Sequence, residues 1–257
     1  MSVSDRGGGL PDGADVDVER SETDSGEPPR GTLMMVLRES TIVIALALLL
    51  SLVVKTGLMQ AFYIPSGSME NTLLKGDRVI VNKLVPSRID LKRGDIVVFQ
   101  DPDHWLPAVV PIERTPFVSA MRTTLTFIGL LPTDEGNHLI KRVIGLPGDH
   151  VVCCDSLHKL TVNGVPVTEP YIFAGDVPSE QPFDITVPAG RVWVMGDHRS
   201  ASEDSRPHDQ GSGGTKGSVP QSLIVGRALT VVWPLKNFAW LPDYRETFAK
   251  VPAATAR

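Results

Sequence analysis

The sequence predicts a mainly β protein: an N-terminal single transmembrane helix followed by an antiparallel β-sheet-rich domain with inserted loops. Three observations predict it. From residue 78 onward, short runs of β-branched residues alternate with turn signals. Across 257 residues, 21 Pro and 23 Gly accompany only 6% aromatics, which favours turns and short strands over a helical bundle. An uncharged apolar stretch opens at Ser40, ahead of all these strands.

Residues 1–40 carry nine acids and four bases, while the remainder is neutral, so the net charge of −5 belongs to the tail. The first thirty or so residues are rich in Gly, Asp, Glu, Ser and Pro, too polar to offset the entropy of ordering, and read as disordered. No basic excess exists to drive nucleic-acid binding.

Ser40 to Val54 is free of charge, and Thr56 to Phe62 is uncharged again beyond Lys55. A helix over residues 41–62 is about 33 Å long, enough to cross the hydrocarbon layer, with Lys55 snorkelling to one interface. It shows no amphipathic stripe, as expected of a helix with lipid on all sides. A long acidic stretch precedes it and no Ala-x-Ala site follows at the usual distance, so it reads as an anchor rather than a cleaved leader. Arg30 and Arg38 lie before it, and Lys55, Lys75 and Arg78 at or after its far end, so charge does not decide its orientation.

Strands follow at Arg78–Asn82, Asp95–Phe99, His138–Ile144, His150–Cys154, Phe183–Val187, Arg191–Met195 and Leu223–Val232, the last interrupted by Gly226. Asn163-Gly164 between Lys159–Val162 and Val165–Val167 marks a hairpin with a type I′ turn. Residues 101–137 are an insertion; its Trp105 and Phe127–Leu131 fit either a membrane interface or a small satellite core. Residues 206–220 have the composition of a flexible surface loop. Cys153 and Cys154 supply neither a zinc framework nor a disulfide scaffold, and read as reduced thiols on a strand with one facing the core. The chain thus divides into a tail (1–40), a span (41–62), a β-rich domain (63–240, with the insertion) and a C-terminal tail (241–257).

Three polar segments stand out. Ile64-Pro-Ser-Gly-Ser68-Met-Glu-Asn-Thr-Leu73 follows the span; Lys141 lies in the apolar run Leu139–Ile144 ahead of Pro147-Gly-Asp149; and Gly196-Asp-His-Arg-Ser-Ala-Ser202-Glu-Asp204-Ser-Arg206 is a dense polar run. Singly these are a turn, a surface lysine and a solvated loop. With Gly76-Asp-Arg-Val-Ile-Val-Asn-Lys83, their order and spacing resemble the boxes of bacterial type I signal peptidases, over roughly residues 35–235.

The resemblance implies a membrane-anchored serine endopeptidase that removes signal peptides from exported preproteins, cutting after Ala-x-Ala. It implies Ser68 as nucleophile and Lys141 as general base, with Ser66 beside the Ser68 N–H in the oxyanion hole. Ser202 would orient the lysine amine, and Asp204 and Arg206 would support that loop as an ion pair. Phe62, Ile64, Pro65, Met69, Leu73, Leu139, Ile140 and Val143 would line two shallow apolar pockets. The implied partners are signal peptides and the lipid bilayer, with a cytoplasmic N-terminus and an extracytoplasmic β domain; no metal or organic cofactor is implied. Two positions depart from the family pattern, Asn71 where proline is frequent and His198 where asparagine is usual.

The residues support the chemistry independently. A serine hydroxyl needs a nearby base, and lysine serves only when neutral. Bringing its pKa from about 10.4 to near 7 or 8 requires roughly 4 kcal/mol of bias, which burial among Leu139, Ile140, Val143 and Ile144 can provide. Arg142, next along the strand, would face the other way. Three other readings compete: a Ser–His–Asp hydrolase using Asp197 and His198, a self-cleaving repressor-type Ser–Lys protease, and a membrane-tethered, non-enzymatic β binding domain.

Overall fold

The structure, a computed structural model, describes residues 30–106 and 137–254 together with Thr115, Val118 and Met121. It divides into two units, with the boundary between Ala45 and Leu46 inside the first helix.

Helix α1 (Arg30–Gly57) contains a 19-residue stretch, Met34–Leu52, with mean hydropathy 2.0, long and apolar enough to cross a membrane. Met34–Leu37, Ile42–Ile44 and Leu48–Leu50 are all exposed along it. The helix is displaced from the expected 41–62. It begins earlier, taking in residues 30–40 of the predicted tail, and ends at Gly57. Residues 59–63 instead form strand β1 (Met59–Tyr63), paired antiparallel with β2 (Arg78–Asn82) from Met59 opposite Asn82 to Tyr63 opposite Arg78. An uncharged run gives hydrophobicity but no period, so it fits a helix or a buried strand equally. The β2 edge, distant in sequence, decides.

The β domain has two antiparallel sheets. The larger, in spatial order, runs β1, β2, β11 (Ile224–Trp233), β3 (Ile96–Gln100), β4 (His138–Gly145), β9 (Arg191–Met195) and β10 (Val219–Pro220), with the short β12 (Ala239–Trp240) pairing on β11. The smaller is β7 (Val165–Pro166), β6 (Thr161–Val162), β5 (His150–Cys153) and β8 (Phe183–Thr186), with the expected hairpin at Asn163-Gly164. Gly226 lies where a Cβ would strike the Asn82 carbonyl, and the β11–β3 register shifts beside it. Close approach of two backbones is the reason for a glycine in this strand.

Strand β4 is central, with seven of its eight residues buried. Its neighbours feed two clusters: Val97, Phe99, Leu139, Val143, Val192 and Val194 on one side, and Phe62, Met69, Leu73, Val79, Val81 and Ile140 on the other. Trp105 belongs to the first. It is 5% exposed, edge-on to Phe99 and stacked on His208 at 4.4 Å, so it is a core residue and not a membrane-interface group. Phe127–Leu131 lie outside the described residues.

Two further expectations are corrected. Cys153 faces the core as expected, but its sulfur is bonded to that of Cys154, with the two Cα atoms 3.0 Å apart. Residues 206–220 are organised rather than loose. Asp209 Oδ1 accepts from Ser212 Oγ at 2.6 Å and from the Gly214 and Gly217 N–H groups at 2.9 and 3.2 Å, and Ser218 is fully buried. One buried carboxylate here replaces the apolar side chains that a composition reading looks for.

Candidate active site

Strand β1 delivers the chain into a tight turn. The Ile64 N–H donates to the Asp77 carbonyl and the Gly76 N–H to the Ile64 carbonyl, both at 2.9 Å, pinning the two ends of segment 65–75 together. Inside it, Glu70 N–H donates to Gly67 O and Leu73 N–H to Met69 O, making one helical turn. Met69 and Leu73 are fully buried beneath it and act as its anchors. The turn therefore holds Ser68, 5% exposed, over β4, with the exposed Ser66 presenting its Oγ 3.4 Å from Ser68 Oγ.

Lys141, opposite Val97 in the middle of β4, is 3% exposed, and its Nζ donates to Ser68 Oγ at 2.6 Å. Burial pushes its pKa down to about 8, although the charges of Asp204, Asp197 and Glu203 pull the other way. None of these carboxylates makes an ion pair with the amine within 4 Å among the described residues. A buried, unpaired amine next to a hydroxyl is poised to lose its proton near neutral pH.

The third segment closes over the first. Gly196 is packed so tightly that a Cβ would strike the Ser202 side chain and the Ser68 carbonyl, and the His198 N–H donates to that carbonyl at 3.1 Å. Asp204 is fully buried. It accepts from Gly196 N–H at 3.0 Å and from Arg206 Nε and Nη2 at 2.9 and 2.8 Å, and it caps helix α2 (Ser205–Asp209). Burial alone would raise its pKa, but the Arg206 guanidinium and these donors hold it below the usual carboxylate value. The loop is thus fixed by a charge pair and a cap together.

The expected site residues do not all meet. Ser68, Lys141, Ser66, Phe62, Ile64, Pro65, Leu139 and Ile140 line one groove of about 520 Å³. Met69, Leu73 and Val143 lie beneath it, fully buried in the cores. Asp204 and Arg206 pair as expected. Ser202 does not hydrogen-bond the lysine amine. Its Oγ is buried without a partner in hydrogen-bond geometry, although it sits close enough to Asp204 to help keep that carboxylate ionised. Asp197 and His198 do not face each other: Asp197 is held by Arg142, and His198 stacks on Phe173 at 4.1 Å with Nδ1 3.2 Å from Glu70. Asn71 sits at φ +85°, which proline cannot adopt, and its amide donates to the Tyr171 and Ile172 carbonyls. Among the described residues, no three His, Cys, Asp or Glu side chains converge to hold a metal ion.

Sequence reasoning missed the other polar centre. Arg142 is fully buried and grips Asp197 through Nε and Nη2 at 2.8 and 2.5 Å. It also donates to the Gly94 carbonyl at 2.8 Å and lies over the Tyr171 ring at 4.1 Å. Asp197 Oδ2 accepts from Thr72 as well, at 2.5 Å, so the Ser68 turn, β4 and the 196–206 loop are joined at one carboxylate. The signal was available: an arginine beside Lys141 in a buried strand, and an aspartate at the exit of another, need each other.

Residues 37–233 match the family model described as signal peptidase, peptidase S26. Signal peptidase I of Mycobacterium tuberculosis is 37% identical over 236 residues, covering 85% of this chain and 79% of that one. A probable signal peptidase I of Mycobacterium leprae is 36% identical over 253 residues, with 86% of each chain covered. A crystal structure of a signal peptidase I from Enterococcus faecalis aligns with 25% identity and a TM-score of 0.33, covering 53% of this chain and 95% of that one.

Proposed function

The chain belongs to the signal peptidase family, peptidase S26, and on that premise we propose that it is a membrane-anchored signal peptidase I working through a Ser68–Lys141 dyad. The observation that carries the dyad is the 2.6 Å contact between Lys141 Nζ and Ser68 Oγ at the floor of an apolar groove.

Once neutral, the Lys141 amine accepts the Ser68 hydroxyl proton along the line of that contact. The Ser68 oxygen attacks the scissile carbonyl, and the developing oxyanion accepts hydrogen bonds from the Ser68 N–H and the Ser66 hydroxyl. The Lys141 ammonium then gives its proton to the leaving amine. Water releases the acyl-enzyme by the same base. The substrate lies as an extended strand in the groove, where Phe62, Ile64, Leu139 and Ile140 favour small apolar side chains such as those of Ala-x-Ala. Residues 1–40 face the cytoplasm and the β domain lies outside, so that signal peptides meet the groove after translocation.

Purified full-length protein in detergent should cut an Ala-x-Ala peptide, and Ser68→Ala should not. Cleavage that persists in Ser68→Ala rejects the dyad. Protease added outside intact cells should remove the β domain and spare the tail; the reverse pattern rejects the orientation.

A further inference from the structure

The groove is apolar along most of its length, but one wall carries a carboxylate that the mechanism does not use. Glu203 lines the groove together with Ala201, Leu106 and His138. Its side chain is 69% exposed, and the ion pair it makes, with His208 Nε2, is at 3.9 Å. Its backbone, by contrast, is fixed. The next residue is the buried Asp204, clamped by Arg206 and the Gly196 N–H, and His208 is held by Trp105 and by the Asp204 carbonyl, 2.8 Å from its Nδ1. A negative charge is therefore presented to the groove from a rigid base, engaged only by a long ion pair with His208 and at a distance by Lys141. Among the lining residues no other carboxylate occurs, and the cation, Lys141, is buried at the floor.

We propose that Glu203 is a specificity-determining residue of this groove, favouring substrates with a lysine or arginine side chain close to the scissile bond. The inference rests on the groove being the substrate site. A basic side chain near the small residues that enter the apolar part of the groove gains an ion pair with Glu203. An acidic one meets like charge, part-shielded from water once the peptide is seated. Partly exposed pairs of this kind change affinity by a factor of about three each way, so lysine and glutamate at the right position differ by about tenfold.

The test uses full-length protein in detergent and a peptide series with an Ala-x-Ala core, in which Lys, Gln or Glu is placed in turn at each flanking position. At a fixed pH of about 8, where the rate is expected to level off, kcat/KM is measured for each peptide. The Lys-to-Glu ratio within one enzyme cancels any change in basal rate. In the wild type one position should show a ratio of about ten that shrinks as salt is raised. At that position Glu203→Gln should bring the ratio to about one or two, Glu203→Asp should keep most of it, and Glu203→Lys should invert it. A wild-type ratio that is flat at every position, or one that Glu203→Gln leaves unchanged, overturns the inference while leaving the dyad intact. Failure of the wild type to cut even the Gln peptides overturns the groove as the substrate site, and this inference with it.

Discussion

The two faces of β4 hold adjacent buried cations in opposite surroundings. Arg142 is fully buried and compensated, with a bidentate carboxylate, a backbone carbonyl and an aromatic ring around it. Burial works against its charge, but Asp197 more than restores it and raises its pKa. Lys141 is 3% exposed and has a hydroxyl where Arg142 has a carboxylate. Its pKa falls to about 8. Burial is common to both; what separates structural cation from reactive amine is the partner. The carboxylate that acts most on the lysine, Asp204, is itself occupied by Arg206. That ion pair keeps a negative charge in the site without letting it fix the proton on Lys141.

The largest effect should come from making Lys141 resemble its neighbour. Lys141→Arg keeps a cation of similar length but not one that can lose its proton, so Ser68 loses its base. We expect kcat/KM on an Ala-x-Ala peptide to fall by about a thousandfold or more, with the far-ultraviolet dichroism unchanged. In the wild type, log kcat/KM should rise with pH and level off through about 8, the pKa of the buried amine. If instead His198→Ala lost the activity and Lys141→Arg kept it, the contrast between the two cations would have no catalytic meaning.

Stability should separate them by sign. Arg142→Met leaves Asp197 buried and unpaired, and should cost about 3–5 kcal/mol in denaturant unfolding. Lys141→Met should do the reverse. A lysine whose folded pKa is depressed binds its proton less tightly when folded, so the unfolded state holds more protons between about 8 and the unfolded value. The native protein is therefore penalised below about pH 8, by about 3 kcal/mol. That penalty is relieved as pH rises toward the unfolded pKa near 10.4. Lys141→Met should be the more stable protein at pH 7, with the advantage shrinking by pH 10. Equal stabilities across that range would mean the amine is not desolvated.

Much of this arrangement was legible in the sequence because it rests on local signals. The strand runs, the Asn163-Gly164 hairpin and the order of the Ser68, Lys141 and Ser202–Arg206 segments are all contiguous in the chain. What escaped depends on partners far apart. Strand β1 exists because β2 offers an edge to an uncharged segment that reads equally well as helix. The Asp209 hub makes an ordered segment out of Gly and Ser. Met69, Leu73 and Val143 differ from the groove residues only in which side of the backbone faces out, a distinction that composition does not carry. Arg142 and Asp197 are 55 residues apart, and each alone reads as a surface charge.

The smallest expected stability change tests the loop that closes over the dyad. Ser202 Oγ is buried against Gly196 without a hydrogen-bond partner, while Lys141 Nζ is directed at Ser68. The hydroxyl makes no bond of full hydrogen-bond geometry, and its weak support of the Asp204 carboxylate is set against its own desolvation cost, so its removal should be nearly neutral. Ser202→Ala should change unfolding free energy by less than about 1 kcal/mol. Turnover should nonetheless fall much further, because the amine must turn from Ser68 toward the leaving group and back. We propose that in that half of the cycle the Ser202 hydroxyl accepts from the amine, a contact the resting structure does not make. Ser202→Thr, which keeps the hydroxyl, should recover part of the rate if the extra methyl group fits beside Gly196. If Ser202→Ala lost stability and turnover in proportion, the serine would be a packing element of the loop, and the amine's freedom on that face of β4 would owe nothing to it.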